Sequence, residues 1–369
     1  MRLSSATREE LHSKVIVMAR HTVCAALRLR SREHSTEDEV RLDEVEHASP
    51  LWGLQEFNSP MLHADRNGAS LEVPFLVSWQ ACPMGSLPMI TPLAGTTFGA
   101  TVTQIDVRAL DRDSFADLYA TWLDRGLLIF PGQFLDNTEQ DEFAQRFGVL
   151  EFGAAPLSNV RSDGSVRPTD GSDDMMQVLI GNMGWHQDST YMPVQAKAAV
   201  FSAEVVPDTG GATGFADTAA AYASLEQAIK DRIAGLRARH SLYHSQAQVG
   251  HAGTSAQYSG YGFHDGPVSI RPIVKRHPET GSRSLTIGRH AYDIDGLEAA
   301  ESAELLASLV ELTTEPMYTY HHHWTAGDVV VWDNRRLLHR ATPWPFDQPR
   351  VMWHTRIAGD PVTESADSA

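Results

Sequence analysis

Hydrophobic and polar residues alternate over much of the chain after Met89, in patterns that are typical of short strands. The stretch "MITPLAGTTFGATVTQIDV" alternates between turn residues, and "LLIFPG" is typical of a buried strand. Further strand candidates are "AAVFSAEVV", "VSIRPIVKRH", "RSLTIG", "MYTYHHHW", "DVVVWDN" and "VMWHTRIAG". Because short strands without regular βαβ alternation favour a sandwich or a barrel over a doubly wound sheet, we expect a mainly β fold.

Four segments have helical periodicity instead. "DRDSFADLYATWLDRG" places its apolar residues on one stripe and ends at Gly126, and "NTEQDEFAQRFG" has a capping-type start at Asn137 or Thr138. "DTAAAYASLEQAIKDRIAGL" and "EAAESAELLASLVEL" predict a third and a fourth helix. The pattern therefore predicts a mainly β fold with flanking helices.

Residues 1–88 have a different character. They contain a basic stretch, "LHSKVIVMARHTVCAALRLRSR", and then the acidic stretch "EDEVRLDEVE". The basic stretch weakly resembles a transit peptide, but Glu9 and Glu10 precede it and no cleavage signature follows. We interpret 1–88 as a poorly specified extension and 89–369 as the functional domain.

Composition and charge restrict the function. The chain has 369 residues, 42% hydrophobic and 21% charged, which is ordinary for a globular protein. Its two cysteines fit a reducing compartment, so we expect a cytoplasmic location. The formal net charge of −17 argues against nucleic acid and anionic membranes as partners, and an anionic substrate would need local positive charge.

One short stretch, "GNMGWHQDSTYMP", holds a histidine and an aspartate two positions apart, His186 and Asp188. On a strand these side chains would share one face and could bind one metal ion, with Gln187 pointing away. Two histidines and one carboxylate leave positions open and suit ferrous iron in oxygenases. The spacing alone is weak evidence, since His63 and Asp65 have it too and the chain has 17 histidines.

The later part of the sequence makes the pattern of possible metal ligands more specific. "WHQD" is followed by "WDNR", by His339 and by Arg350, in that order. With these motifs the chain resembles the taurine dioxygenase and 2,4-dichlorophenoxyacetate dioxygenase family of Fe(II)- and 2-oxoglutarate-dependent oxygenases. The resemblance runs from about Met89 to Pro361. It implies a double-stranded β-helix, a jelly-roll-type barrel with helices packed outside.

The resemblance also implies roles for single residues. His186, Asp188 and His339 would be the iron ligands, with no further catalytic residue. Thr213, after the "GG" turn, and Arg350 would bind the distal carboxylate of 2-oxoglutarate, and a bidentate arginine suits that dianion.

Substrate recognition is less well determined. Related enzymes often place an arginine four residues after the 2-oxoglutarate arginine to bind the substrate's anionic group, and here that position is His354. Arg356, two residues further on the same strand face, is the cationic alternative. Asn182 matches a position that borders substrate, and Tyr243 and His244 are further candidates without a spacing argument.

Other chemically suggestive residues have plainer interpretations. Arg335, Arg336 and Arg340 are expected to be solvated surface arginines. The run "HHH" at 321–323 is expected to have structural or surface roles, because neighbouring residues of a strand face opposite ways and His322 would share a face with Tyr320 and Trp324.

The predicted function is the oxidation of a small organic acid, such as a sulfonate, aryloxyalkanoate or alkyl sulfate, by O2 and 2-oxoglutarate with Fe(II). Hydroxylation next to an ether oxygen or a sulfonate would give a product that fragments. Two alternatives stay open: a metal-dependent hydrolase with the same ligands, and a non-catalytic binding protein on the same barrel. The resemblance further implies a homo-oligomer.

Overall fold

The structure is a computed structural model, and it describes residues 88–251 and 266–368. The extension predicted over 1–88 lies outside the described residues except for its last position. No helix within these two ranges is long and apolar enough to cross a membrane.

The elements follow one another as short strands and helices. The strands are β1 (Met89–Pro92), β2 (Ala100–Thr103), β3 (Leu127–Phe130), β4 (Leu150–Ser158), β5 (Ala198–Val205), β6 (Thr213–Asp217), β7 (Arg237–His240), β8 (Ser269–Pro272), β9 (Val274–Arg276), β10 (Arg283–Leu285), β11 (Ala291–Ile294), β12 (Thr319–His322), β13 (Val329–Asp333), β14 (Leu337–Ala341), β15 (Val351–Ile357) and β16 (Asp367–Ser368). The helices are α1 (Arg112–Arg125), α2 (Asn137–Gln145), α3 (Asp174–Gly181), α4 (Thr218–Ser224), α5 (Gln227–Ile233), α6 (Leu242–Ala247), α7 (Ala299–Thr313) and α8 (Pro361–Glu364), with 3-10 turns at Val107–Ala109 and Pro316–Tyr318.

Two sheets carry most of the fold. Within the described residues the larger has the strand order β1-β2-β3-β13-β5-β15-β4, and a three-stranded sheet has the order β12-β6-β14. All pairs in these sheets are antiparallel except β2 with β3. The fold is thus mainly β with helices, as the hydrophobic pattern predicts.

Strand β13 is buried on both faces, and its side chains alternate between two cores. Val329 and Val331 contact the cluster under α1 and α2, which includes Trp122. Val330 and Trp332 face the other way, into a cluster shared with the three-stranded sheet. A strand covered on both sides is apolar at every position, which explains the continuous run "VVVW".

The other side of the three-stranded sheet packs against α4, α5 and α7. Ala216 and Leu338 contribute from the sheet, while Leu305 and Leu309 contribute from α7. The three-stranded sheet therefore lies between two apolar layers. Its residues on the side of the larger sheet include Phe215 and Leu337.

The structure corrects several local predictions. The third predicted helix is broken, because Leu225 leaves the helical conformation to pack into the core beside α5. Helix α2 is capped by Asp136, one position before the predicted cap, in a full capping box with Glu139. Strand β14 and helix α3 were not predicted from the pattern.

Two arginines expected to be solvated are bonded to buried aspartates instead, with Arg335 buried and Arg336 half-buried. Arg335 is only 4% exposed and bonds Asp333 through Nε and Nη2. Arg336 bonds the buried Asp217, at 3.0 Å from Nε and 2.7 Å from Nη2. Each carboxylate compensates one guanidinium, and only the tertiary structure brings these partners together.

Candidate functional site

His186 and His339 are joined through their backbones. The two residues form an isolated antiparallel bridge, in which His186 N–H donates to His339 O at 3.0 Å and His339 N–H donates to His186 O at 2.8 Å. His339 lies on β14, whereas the His186 segment is no regular strand, contrary to the expectation. The rings lie with their centres 4.3 Å apart.

The tautomer of His186 follows from its neighbour. Its Nδ1 lies 2.7 Å from the carbonyl oxygen of Gly184. Because a carbonyl oxygen can only accept, Nδ1 carries the proton and Nε2 presents its lone pair. Burial lowers the pKa of His186 to about 4, so this imidazole is neutral at physiological pH.

Asp188 is held by the backbone and faces both histidines. Its N–H donates to Asn334 Oδ1 at 2.7 Å, and Asn334 Nδ2 donates to its carbonyl oxygen at 2.9 Å. Asp188 Oδ1 lies 4.0 Å from His186 Nε2, and Oδ2 lies 3.6 Å from His339 Nε2. The asparagine of the "WDNR" motif therefore sets the position of Asp188, a role that sequence reasoning missed.

The three side chains form a compact set of possible metal ligands. One ligand atom from each of His186, Asp188 and His339 lies within 4.8 Å of the others, and all three residues are buried. Burial by itself raises the pKa of Asp188, but the charge of Arg356 and the neighbouring His339 and His354 together outweigh burial and hold that pKa well below its ordinary value. Two neutral imidazoles and one carboxylate are thus ready to bind a divalent cation.

Arg350 is a buried guanidinium that has no acidic partner among the described residues. It is 3% exposed, its Nε donates to Gly211 O at 3.2 Å, and its Nη2 has no hydrogen-bond partner. Trp344 lies beneath it, 5.2 Å from the guanidinium carbon to the ring centre. Burial lowers the pKa of Arg350 to about 10, which still leaves it charged at neutral pH.

Thr213 lies across from Ala341 at the start of β6. Its hydroxyl oxygen accepts from Trp324 Nε1 at 2.9 Å, so the hydroxyl hydrogen can still be donated. Thr213 and Arg350 line the same cavity as the three possible metal ligands. All five predicted residues therefore face one space.

The cavity has a volume of about 310 Å³ and a largely apolar wall. Its apolar lining includes Phe152, Leu157, Val178, Leu179, Phe201 and Trp332. Trp332 and Phe201 belong both to the apolar core and to the wall of this cavity. A pocket of this kind, with a few polar groups at one end, suits a small ligand that is part apolar and part charged.

The three residues predicted for the substrate lie in this cavity too. Asn182 follows α3, and its carbonyl oxygen accepts from Ala341 N–H at 2.8 Å. His354 stacks on Trp332 and places its Nε2 3.4 Å from Asp188 Oδ2. Arg356 Nη2 lies 3.3 Å from Asp188 Oδ1.

Helix α6 borders the cavity through other residues than the two candidates selected from the sequence, Tyr243 and His244. Of α6, Leu242 and Gln246 line the cavity, one helical turn apart. Tyr243 packs beside Val178 and Leu242, whereas His244 stacks on Tyr292 away from the cavity. Sequence reasoning could have selected positions 242 and 246 only if α6 and its orientation had been known.

The central histidine of the "HHH" run has a structural role. His322 lies on β12, and its Nε2 is 3.1 Å from Asp328 Oδ2. The edge of its ring contacts Trp324, and it stacks on Tyr320, as the shared strand face predicts.

Comparison with known proteins agrees with this geometry. The family model described as "Taurine catabolism dioxygenase TauD, TfdA family" matches residues 89–357. An (S)-phenoxypropionate/alpha-ketoglutarate-dioxygenase of Sphingobium herbicidovorans is 58% identical over 279 residues, which cover 75% of this chain and 97% of that protein. An alpha-ketoglutarate-dependent 2,4-dichlorophenoxyacetate dioxygenase of Cupriavidus pinatubonensis is 34% identical, covering 72% of this chain and 96% of that protein.

A solved structure is similar as well. The crystal structure of AAD-2 in complex with Mn(II) and N-oxalylglycine has a TM-score of 0.69 and 32% sequence identity, covering 76% of this chain and 99% of that one. The chain therefore belongs to the TauD/TfdA dioxygenase family. It is an alpha-ketoglutarate-dependent dioxygenase that uses Fe(II), 2-oxoglutarate and O2, which confirms the family, enzyme class and cofactors predicted from sequence.

Proposed function

We propose that this dioxygenase oxidises a small aryloxyalkanoic acid and releases the corresponding phenol. Fe(II) is held by His186, Asp188 and His339, and 2-oxoglutarate by Arg350 and Thr213. The observation that carries the proposal is a three-residue set of metal ligands that shares one apolar cavity with an uncompensated guanidinium.

The chemistry of the donor set fits ferrous iron. Asp188 Oδ2 is buried and has no hydrogen-bond partner among the described residues, which is costly unless a cation satisfies it. The lone pair of His186 Nε2 is free because Nδ1 is bound to Gly184 O. Two imidazoles and one carboxylate are the donor set of non-haem Fe(II) oxygenases, and they leave positions for other ligands.

Arg350 fits a carboxylate of 2-oxoglutarate. A buried charge without a partner is unfavourable, so its presence points to an anionic ligand that completes the site. Thr213 can add a hydrogen bond from its hydroxyl. Because the chain carries a net charge of −17, this local positive charge is needed to hold a dianion.

The apolar wall fits an aromatic ring. Phe152, Leu179 and Phe201 bound the space beside the possible metal ligands. Relatives with substantial identity over most of this chain are named for (S)-phenoxypropionate and for 2,4-dichlorophenoxyacetate. An aryl group in the apolar part and a carboxylate near the polar end match both the cavity and those names.

The chain's residues position the reactants and exclude water. When bound, Fe(II) would activate O2 and couple the decarboxylation of 2-oxoglutarate to oxygen insertion into a substrate C–H bond. Arg350 and Thr213 fix one end of 2-oxoglutarate, and the apolar wall holds the substrate so that one C–H bond is presented. The burial of His186, Asp188 and His339 shields this reaction from bulk water.

The expected products follow from the substrate's ether bond. One oxygen atom of O2 enters succinate, which forms with CO2 from 2-oxoglutarate, and the other enters the carbon that bears the ether oxygen. The resulting hemiketal loses its aryloxy group as a phenol when its hydroxyl proton is transferred to the leaving oxygen. The former side chain becomes a 2-oxo acid.

The test is an assay of substrates and of products. The protein would be incubated with Fe(II), 2-oxoglutarate and O2, and with (S)- or (R)-2-phenoxypropionate, phenoxyacetate, an alkyl sulfate or taurine. With a phenoxy acid as substrate, the wild-type protein should form phenol and succinate in equal amounts. The variant His186→Ala should form neither. If succinate formed only in the presence of taurine or the alkyl sulfate, the proposed substrate class would be refuted. If no succinate formed with any of these substrates, the proposed activity would be refuted.

Four further features are proposed alongside. We infer a double-stranded β-helix, because the larger sheet and the three-stranded sheet face each other across one apolar cluster. A functional domain from residue 89 agrees with the family match over 89–357. The cytoplasmic location and the homo-oligomer stay as predictions from composition and resemblance.

A further inference from the structure

Arg356 lies against acidic residues of the chain itself. Its Nη2 lies 3.3 Å from Asp188 Oδ1, its Nη1 donates to Ser189 Oγ at 3.0 Å, and Glu151 Oε1 is 3.6 Å from Nη1. The guanidinium carbon stands 4.6 Å from the ring centre of Phe152. These contacts and its 7% exposure fix the side chain in one place.

The two oxygens of Asp188 have different surroundings. Oδ1 accepts from Arg356, whereas Oδ2 makes no hydrogen bond and lies 3.4 Å from His354 Nε2 and 3.6 Å from His339 Nε2. The backbone of Asp188 is fixed by Asn334, so rotation about the side-chain bonds is the freedom that remains. The contact with Arg356 restricts that rotation.

We propose that Arg356 is a positioning residue that makes Asp188 a ligand through one oxygen, with Oδ2 presented to the metal. This inference rests on the proposed function, since it takes Asp188 as an iron ligand. A hydrogen bond to the other oxygen keeps that oxygen from competing for the cation, and the positive charge limits the negative charge that the ligand set accumulates.

The charges around Arg356 argue against the alternative that it binds the substrate's carboxylate. One guanidinium already faces two carboxylates, those of Asp188 and Glu151. A third carboxylate at the same place would gain one attraction and meet two repulsions at similar distance. Ser189 supports the arrangement, since its φ of 56° turns the chain directly after Asp188 and brings its hydroxyl to Arg356.

Metal binding tests this role apart from turnover. Mn(II) affinity would be measured by titration calorimetry, without O2 or 2-oxoglutarate, for the wild type, Arg356→Gln and Arg356→Lys. We expect Arg356→Gln to weaken Mn(II) binding about 10- to 100-fold, the usual effect of losing a partner of a metal ligand. Arg356→Lys should restore part of the loss, because an ammonium keeps the charge but cannot make both hydrogen bonds.

Arg336→Gln is the matched control. Arg336 is a half-buried arginine bonded to a buried aspartate, Asp217, but it contacts none of the possible metal ligands. The variant Arg336→Gln should lower the stability of the protein and leave its Mn(II) affinity unchanged. If both glutamine variants weakened binding equally, the effect would be general destabilisation and the inference would fail.

The remaining outcomes separate this inference from the proposed function. Unchanged Mn(II) affinity in Arg356→Gln with a raised KM for phenoxypropionate would make Arg356 a substrate contact and overturn the inference alone. Mn(II) binding that survives His186→Ala unchanged would instead refute the metal site. If Arg356→Gln does not fold, the lysine variant decides: a several-fold loss supports the role, and wild-type affinity contradicts it.

Discussion

Replacing Arg350 with methionine should separate ligand binding from stability. The side chain is buried, charged and without an acidic partner among the described residues. Its charge is needed only when an anionic ligand is present. Arg350→Met should therefore strongly weaken the binding of 2-oxoglutarate without destabilising the ligand-free protein, which is unusual for a buried arginine.

The magnitude follows from the surroundings of Arg350. Burial lowers its pKa from 12.5 to about 10, and at 1.36 kcal/mol per pH unit the charged form is destabilised by roughly 3 kcal/mol. Methionine would lose the hydrogen bond to Gly211 O and the contact of the charge with Trp344, each about 1 kcal/mol. The net change is a gain of about 1 kcal/mol, or about 2 °C in Tm for a domain of this size.

Ligand binding should change much more. Removing one partner of a buried charge pair costs roughly 2–5 kcal/mol, which weakens 2-oxoglutarate binding by a factor of about 30 to several thousand. The assay is thermal unfolding with Mn(II), with and without 2-oxoglutarate. Wild-type Tm should rise with 2-oxoglutarate, because a ligand that binds only the folded state stabilises it. The Tm of Arg350→Met should not respond.

Arg336→Met is the contrasting variant. It leaves the buried Asp217 without its two arginine bonds, so it should destabilise the protein by about 3–5 kcal/mol and keep the response to 2-oxoglutarate. A loss of stability in Arg350→Met as large as in Arg336→Met would mean that the charge is already compensated in the ligand-free protein. A preserved 2-oxoglutarate response would show that Arg350 does not bind it, and either result would refute the reasoning.

Three further predictions follow from other residues. His186→Ala should abolish turnover and the metal-dependent rise in Tm, whereas His63→Ala, at the other His-x-Asp pair, should change neither; a loss of both in His63→Ala would contradict the assignment. Burial lowers the pKa of His240 to about 3, so the unfolded chain binds this proton first as the pH falls below 6.5. Between pH 6 and 4, His240 should therefore lower the free energy of unfolding, measured with urea, by about 1.4 kcal/mol for each pH unit. In His240→Leu the decrease of the free energy of unfolding with falling pH should be smaller by that amount. A chain that begins at Met89 should fold and keep phenoxypropionate turnover, and failure in both assays would show that the preceding residues belong to the domain.

Much of the site could be predicted from the sequence because its residues lie in ordered motifs. His186, Asp188, His339, Thr213 and Arg350 were all selected before any geometry, and the structure places them around one cavity. Their identity is prescribed by chemistry, since a metal needs imidazole and carboxylate donors and a dianion needs a guanidinium. The strand pattern also predicted a mainly β fold, because side-chain burial alternates with a period of two.

What the sequence could not decide is which charges face each other. The sequence does not distinguish three arginines near the end of the chain. In the structure each contacts a different aspartate: Arg335 contacts Asp333, Arg336 contacts Asp217, and Arg356 contacts Asp188. Two of those carboxylates lie more than 100 positions away along the chain, and electrostatic pairing depends on distance in space. The sequence by itself was enough to predict the candidate ligands of iron and of 2-oxoglutarate. The tertiary structure alone decided that Arg350 stays uncompensated while Arg356 is bound to Asp188.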